Sequence, residues 1–246
     1  MTASAKTPRH DAKMRLATAL VCLGVVASWR ALPAQVGHDP AGSPYHDIQP
    51  GVGPVFFVGK LSGDRGRADA GPGNGTSFGA RYELPLGRAM LAQFTTSYLK
   101  ADRFVINPEL SDTTPGHRTG PYDTKLLLTE FALQLRLTGG KSWHGFAPYF
   151  GGGMGLALDL SSPGDTTDSK YHFGTKLTFS TGAGVRWHVT RKVSLHLDGR
   201  MLFWRLKYPL SFHQLGPDGK RVIPIETPLT EWTAHPWVSL GFGWIF

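Results

Sequence analysis

Seven ionisable side chains fall on the polar face of three segments in which polar and apolar residues alternate. They are Glu130, Arg136, Arg186, His188, His196, Asp198 and Arg200. Carboxylate, imidazole and guanidinium groups held together away from water are the components of general acid–base and ion-binding sites. Charges withdrawn from water must also pair with one another. We therefore favour a neutralising salt-bridge network over a catalytic or ion-binding centre, and we predict no cofactor.

Motifs that would carry a defined chemistry are absent from the sequence. It contains no P-loop, zinc-protease, nucleophile-elbow or EF-hand pattern. The run Gly151–Gly155 is similar to a glycine-rich phosphate-binding loop, but it lies inside an alternating segment with no helix after it. We interpret it as small residues that let strands pack closely. The only cysteine, Cys22, lies near the start of the chain, so we predict no metal site.

The charged residues belong to segments in which apolar and polar residues alternate with a period of two. In Val193–Phe203, Leu195 and Leu197 share one face, while His196 and Asp198 share the other. The same alternation is found in Thr175–Val189, Leu127–Leu137, Thr76–Leu86, Ala89–Ala101 and Pro148–Leu160. Such alternation predicts β-strands with one apolar and one polar face.

Two further segments bring the predicted strands to eight. The first lies near Val55–Ser62, and we place Val55, Phe57 and Leu61 on its apolar face. The last closes the sequence, with Val238, Leu240, Phe242, Trp244 and Phe246 on its apolar face. Short connections (Pro85–Ala89, Thr138–Phe146, Thr190–Lys192) alternate with long ones (Gly63–Gly75, Asp102–Thr124, Ser161–Gly174, Pro209–Thr233). This pattern predicts an up-and-down antiparallel sheet with tight turns at one end.

Three features indicate that the apolar faces meet lipid. The polar faces are rich in Gly, Ser and Thr, which suits the narrow interior of an eight-stranded barrel. A strand of about ten residues, tilted by about 40°, spans about 25 Å, the height of the apolar band of membrane barrels. Aromatic residues predict two interfacial girdles, one near the short turns (Trp143, Phe146, Trp187, Trp244, Phe246) and one near the long loops (Tyr98, Phe173, Trp204, Tyr208, Trp237). We predict an all-β, eight-stranded antiparallel transmembrane β-barrel.

The beginning of the chain has the features of a cleaved export signal. Lys13 and Arg15 precede the apolar run Leu16–Ala27, and small residues follow it. We assign 1–34 to this signal, with Met14 as an alternative start.

The rest of the chain divides into two predicted parts. Residues 35–52 are assigned to a flexible periplasmic lead-in and 53–246 to the barrel. Removal of the signal lowers the formal charge from +8 to +4 and leaves no Lys/Arg-rich run. Binding to nucleic acid is therefore not expected.

The sequence resembles the small outer-membrane β-barrel proteins, the OmpA/OmpX-type eight-stranded family, without a C-terminal periplasmic domain. The resemblance covers about Val52–Phe246, and its most specific element is the terminal strand. In that family the end of this strand is recognised by the barrel assembly machinery, and the resemblance implies this role for Val238, Leu240, Phe242, Trp244 and Phe246. We accordingly expect a monomer in the cell outer membrane, in contact with outer-membrane lipid and lipopolysaccharide.

The predicted function is that of an integral outer-membrane protein with a closed polar lumen. Its role is structural, or an interaction at the surface through long extracellular loops. In Pro209–Thr233, a turn signal at Pro217-Asp218-Gly219 predicts a protruding hairpin whose edge would bind an extracellular partner by strand addition. A flexible surface loop is the alternative.

Two other functions remain open at this stage. One is an outer-membrane lipid-modifying enzyme that uses His188 or His196, and the other is a soluble periplasmic barrel that binds a lipid or small ligand. The resemblance to lipid A deacylases would require a histidine followed two residues later by serine, and no histidine here is so placed. We therefore expect a protein that is not an enzyme.

Overall fold

The computed structural model describes residues 42–48, 53–161 and 170–244, so the predicted export signal and Phe246 lie outside the described residues. Its strands are β1 (Tyr45–Asp47), β2 (Gly53–Leu61), β3 (Gly75–Pro85), β4 (Met90–Ile106), β5 (Arg118–Arg136), β6 (Lys141–Trp143), β7 (Phe146–Ser161), β8 (Thr175–His188), β9 (Val193–Lys207) and β10 (Thr230–Trp244). No helix among these residues is long and apolar enough to cross a bilayer.

Eight of the strands, all except β1 and β6, close into a barrel. Each pairs antiparallel with the next along the chain, and β10 pairs with β2 to complete the ring. Trp237 of β10 lies opposite Leu61 of β2 across this seam. Closure gives the backbone of the wall hydrogen-bonding partners on both sides of every strand, as a bilayer requires. The predicted eight-stranded antiparallel barrel is confirmed.

The two faces of the wall are inverted relative to a soluble barrel. Large apolar side chains such as Phe56, Leu197 and Val238 are exposed on the outer surface, whereas Arg81 and Asp198 are buried inside. A soluble sheet would bury the former and expose the latter. An apolar outer surface of this extent, with charges inside, is the arrangement of a transmembrane barrel.

The phase predicted for the first barrel strand is wrong. Val55, Phe57 and Leu61 are buried inside the barrel, and the outer face carries Phe56 and Val58 instead. Both faces of this strand are apolar, so its own sequence does not decide which one points outward. Tertiary contacts decide it: the Phe57 ring packs edge-on against Trp237 at 5.5 Å between ring centroids.

The longest strands extend beyond the wall into a predicted loop. The segment Asp102–Thr124, expected to be a connection, is mostly strand, because β4 runs to Ile106 and β5 begins at Arg118. Asp102 lies opposite Asp123 in this extension, and a bulge follows Arg103. The neighbouring strands end earlier, since β3 starts opposite Ala101. The outer ends of β4 and β5 therefore form a two-stranded projection at the end of the barrel that carries the long connections.

The hairpin predicted for Pro209–Thr233 is wrong. No strand lies between Lys207 and Thr230, a stretch that the structure describes completely. A short 3-10 helix, Leu210–His213, starts this connection, and the Ile223 amide donates to the Phe212 carbonyl at 2.9 Å. Phe212 and Ile223 of the connection turn inward, where they pack instead of forming strand edges.

The predicted lead-in also contains regular structure. Tyr45–Asp47 form β1, which pairs with β6 in the connection between β5 and β7, with Tyr45 opposite Trp143. Sequence periodicity does not predict this strand, because three residues are too few to show a period of two.

The aromatic residues behave differently at the two ends of the barrel. Near the short turns, Trp143, Phe146, Trp187 and Trp244 are exposed on the outer surface, as predicted. At the other end the prediction is wrong for Phe173, Trp204, Tyr208 and Trp237, which are buried, whereas Tyr98 is half-buried and its ring packs against the exposed Phe78. The inward position of Trp204 follows from alternation, since Phe203 belongs to the outward face of β9.

The glycine run of β7 packs against its neighbouring strands. A Cβ atom built at Gly155 would lie 1.9 Å from the Thr129 carbonyl oxygen of β5. Such a contact is far shorter than any van der Waals distance, so a side chain would push the strands apart. The run serves strand packing, as interpreted from the sequence.

Candidate functional site in the barrel interior

Alternation on β5, β8 and β9 directs the seven predicted lumen residues to the inside of the wall. Six of them are buried there, namely Glu130, Arg136, Arg186, His196, Asp198 and Arg200. The seventh, His188, is the last residue of β8 and is only half-buried at the short-turn mouth. The interior network contains four of the seven residues directly.

One part of the network centres on Asp198. Arg81 Nη1 donates to Asp198 Oδ2 at 2.7 Å, and the Tyr149 hydroxyl donates to Asp198 Oδ1. The Arg81 guanidinium also lies over the Phe57 ring, 4.8 Å from its centroid. A charged pair this deeply buried requires that both partners stay hydrogen-bonded.

Two more arginine–carboxylate pairs complete the network. Arg186 Nη2 donates to Glu83 Oε1 at 2.9 Å and also to the Gln134 side-chain carbonyl. Arg200 Nη1 donates to Glu130 Oε1 at 2.6 Å. Each guanidinium is thus neutralised by a carboxylate from a different strand, which ties distant parts of the wall together.

Gln93 joins the second and third pairs. Its side-chain nitrogen donates to Glu83 at 3.1 Å, and its oxygen accepts from Arg200 at 2.7 Å and from Gln134 at 3.0 Å. Arg200 also approaches Asp198 Oδ1 at 3.6 Å. The three pairs therefore form one continuous polar layer across the barrel.

The sequence prediction missed five members of this layer: Arg81, Glu83, Gln93, Gln134 and Tyr149. The signal was available for four of them, because Arg81, Glu83, Gln93 and Gln134 stand on the polar faces of their segments. Tyr149 stands on the same face as Gly151, where an aromatic residue was not expected. Its hydroxyl makes it a polar member of the layer.

Ser194 and His196 have part of the arrangement of a hydrolytic centre. Ser194 Oγ lies 2.9 Å from His196 Nε2, and His196 Nδ1 lies 3.9 Å from Glu83 Oε1. The order serine, histidine, carboxylate is that of a nucleophile, its base and an orienting group. However, 3.9 Å is longer than a hydrogen bond, and Glu83 already accepts from Arg186. We assign no catalytic step to this group.

No group of three or more His, Cys, Asp or Glu side chains that would hold a metal ion occurs in the described part of the chain.

The other half of the interior is apolar. Its buried residues include Leu61, Leu99, Leu126, Phe173, Trp204, Leu206, Phe212, Ile223 and Trp237. Trp204 stacks on His235 with 3.8 Å between ring centroids and meets Phe173 edge-on at 5.7 Å. Phe212 and Ile223 come from the connection between β9 and β10, which therefore contributes side chains to the filling of this end of the barrel.

Small cavities interrupt this filling in the described interior. One of about 10 Å³ lies beside Tyr149 and Asp198, and one of about 20 Å³ lies beside Thr95 and Trp237. A single water requires about 10–15 Å³ by this measure. Each of these two cavities is therefore close to the size of a single water.

Polar contacts hold the long connections together. The Tyr208 hydroxyl donates to Glu231. Burial and this hydrogen bond raise the pKa of Tyr208, so it remains a donor at neutral pH. Ser111 Oγ donates to Asp218 at 3.0 Å and links the 107–117 connection to the 208–229 connection.

The predicted assembly signal lies on the outer face of β10. Val238, Leu240, Phe242 and Trp244 are exposed there, while Phe246 lies outside the described residues.

No protein-family model matches the sequence, and no curated protein matches it. Solved structures do resemble the fold. The outer membrane protein OprG from Pseudomonas aeruginosa has 13% identity and a TM-score of 0.50, covering 82% of this chain and 97% of that one. Neisserial surface protein A has 16% identity and a TM-score of 0.44, covering 83% of this chain and 98% of that one. At the identity and TM-score of the OprG match, the likeness concerns the fold: this chain has the eight-stranded barrel fold of the small outer-membrane proteins.

Proposed function

We propose that this protein is an integral outer-membrane barrel with a closed lumen, which acts as a structural or surface-interaction protein. The observation that carries the proposal is the filled interior. One half is occupied by paired charges around Asp198 and Arg200, and the other by aromatic and aliphatic side chains around Trp204. A barrel filled over its whole height has no lumen through which a solute passes.

The proposed orientation follows from the two ends of the wall. The long connections and the β4–β5 projection face outside, and the short turns face the periplasm, as in single-chain bacterial barrels. The barrel assembly machinery would insert the chain, and the outer face of β10 would be the strand it recognises. Lipid and lipopolysaccharide would cover the exposed apolar belt.

The connection between β9 and β10 remains our candidate for contact with an extracellular partner. Leu210, Leu215 and Ile225 are exposed there, although Phe212 and Ile223 of the same connection are buried. These exposed apolar side chains are the part of the connection that an extracellular partner would contact. Replacing Leu215 and Ile225 together with serine should reduce adhesion of intact cells while the amount of barrel in the membrane stays the same.

Fractionation and gel migration test the main proposal. The protein should partition with the outer membrane and migrate faster before heating than after it. Recovery in the soluble periplasm would overturn the proposal. Planar-bilayer recordings should show no conductance comparable to a porin, and steady porin-like currents would contradict the closed lumen. A change in the lipid A mass spectrum on deletion of the gene would instead support the enzymatic alternative.

A further inference from the structure

The short-turn mouth of the barrel contains a small cavity lined by more cationic than anionic groups. Its volume is about 30 Å³, and its ionisable lining residues are Glu83, Arg136, Arg186, His188 and His196. A water requires about 10–15 Å³ by this measure. The space therefore accommodates roughly two waters or one small ion.

Arg136 is the unusual member of this group. It is only 7% exposed, and its buried Nε has no hydrogen-bond partner among the described residues. Arg81, Arg186 and Arg200 each lie within 2.9 Å of a carboxylate oxygen. A largely buried guanidinium is stabilised by an anion at hydrogen-bond distance, so an anion in the cavity would stabilise Arg136.

The carboxylate in the cavity wall does not meet this need. Glu83 Oε1 already accepts from Arg186 at 2.9 Å and from Gln93 at 3.1 Å. The wall thus combines two guanidinium groups with one carboxylate that is already engaged. One positive charge stays unbalanced among the described residues that line the cavity.

Two other nitrogen atoms in the wall also lack a hydrogen-bond partner. His196 Nδ1 and Arg186 Nε are buried without a hydrogen-bond partner. Gly243 also lines the cavity. A Cβ atom at this position would lie 2.6 Å from Ser194 Oγ and 3.0 Å from His196 Nε2. Any side chain at that position would disturb the Ser194–His196 contact beside the space.

We propose that this cavity is a binding site for a small monovalent anion, either chloride or a single carboxylate group, with Arg136 as its principal ligand. A planar guanidinium presents paired donors that match a carboxylate and also bind a spherical anion. The volume excludes larger ligands such as sugar phosphates. The inference rests on the cavity alone and depends on neither the membrane location nor the closed lumen.

The test measures anion-dependent thermal stability of the full chain, folded in a non-ionic detergent at pH 7. Sodium chloride or sodium formate replaces sodium gluconate at constant ionic strength, so that general screening is unchanged. The wild-type unfolding temperature should rise and saturate with chloride and with formate. Arg136→Gln should lose this rise, and Arg88→Gln, at an exposed arginine in the β3–β4 turn, should retain it.

A second measurement covers the case in which Arg136→Gln does not fold. Chloride-35 NMR should show line broadening by the wild-type protein that formate reverses, and Arg136→Lys should broaden the line less because lysine lacks the planar fork. Equal anion responses in the wild type and in the Arg136 variants would overturn the proposal. A response to chloride without competition by formate would overturn the shared site.

Discussion

The two halves of the barrel interior are filled by opposite means, and a single strand displays both. Going along β9 from its short-turn end, the inward residues are Ser194, His196, Asp198 and Arg200, and then Leu202, Trp204 and Leu206. β4 changes in the same direction, from Gln93 to Leu99. The polar half depends on matched charges with fixed geometry, and the apolar half depends on volume. Truncation of a paired charge in the polar half should therefore destabilise the barrel more than replacement of an apolar side chain by another of similar size in the apolar half.

The largest effect is expected where a buried charge loses its partner. Asp198→Ala leaves the Arg81 guanidinium without its carboxylate and Tyr149 without its acceptor. Breaking a buried pair in this way costs about 3–5 kcal/mol. Urea unfolding of the barrel in lipid vesicles, followed by tryptophan fluorescence, measures the loss.

The matched control for this variant is an aspartate on the outside. Asp123 pairs with Lys100 at 2.7 Å, but both side chains are largely exposed. Asp123→Ala should change the free energy of unfolding by less than about 1 kcal/mol. Equal losses for the two variants would mean that the interior pairs contribute no more than surface pairs.

In the apolar half, the size of the side chain should matter more than its chemistry. Trp204→Ala removes a fully buried ring from between His235 and Phe173, with an expected loss of about 3 kcal/mol. Trp204→Phe should cost far less, because Trp204 Nε1 has no hydrogen-bond partner to lose among the described residues. The same urea titration measures the loss of stability in both variants. A larger loss for phenylalanine than for alanine would contradict a core held by volume.

Alternation in the sequence was sufficient to predict the wall and much of the polar half. On β9 the outward Leu195 and Leu197 alternate with the inward His196 and Asp198, so the phase of the strand is unambiguous. On β2 both faces are apolar, and only the tertiary contact of Phe57 with Trp237 selects the phase. Trp204 was assigned to a girdle by residue type, although alternation placed it inside.

The ends of the strands were harder to predict than their faces. Asp102, Arg103 and Asp123 are not typical strand residues, yet they lie in the β4–β5 projection because the two strands continue to pair with each other. The pairing partners inside the barrel could not be predicted either, since Glu83 and Arg186 belong to strands far apart in sequence. Alternation gives the direction of a side chain and not its neighbour across the lumen.

Close strand packing should give an intermediate effect. Gly155→Ala places a Cβ atom 1.9 Å from the Thr129 carbonyl oxygen, and backbone must move to accept it. Overpacking of this kind costs about 1–3 kcal/mol. Gly199→Ala is the control, because the nearest atom to its Cβ lies 3.9 Å away. If the two variants unfold at the same urea concentration, β5 and β7 are far enough apart to accept the extra methyl group.

The smallest effect is expected at Asp218, which lies outside both halves of the barrel interior. Its side chain links the 208–229 connection to the 107–117 connection. The Lys220 amide, then the Ser111 hydroxyl and the Asp112 amide, hold the pKa of the Asp218 carboxyl below its usual range. A carboxyl with a lowered pKa in the folded state stabilises above its unfolded pKa of about 3.9 and loses this as pH falls through the folded value.

The contact should therefore persist at neutral pH and open only in acid, without unfolding the barrel. Amide hydrogen exchange at Lys220 should become less protected below about pH 4 in the wild type, once the intrinsic exchange rate is taken into account. Asp218→Asn should lower protection already at pH 7 and remove the acid dependence, since its amide carries no charge. Unchanged protection in that variant would show that the tips are held by the backbone turn at Gly219 and not by the carboxylate. Because Phe212 and Ile223 of the same connection are packed in the apolar core and do not depend on this carboxylate, the midpoint of urea unfolding should not follow the same pH dependence.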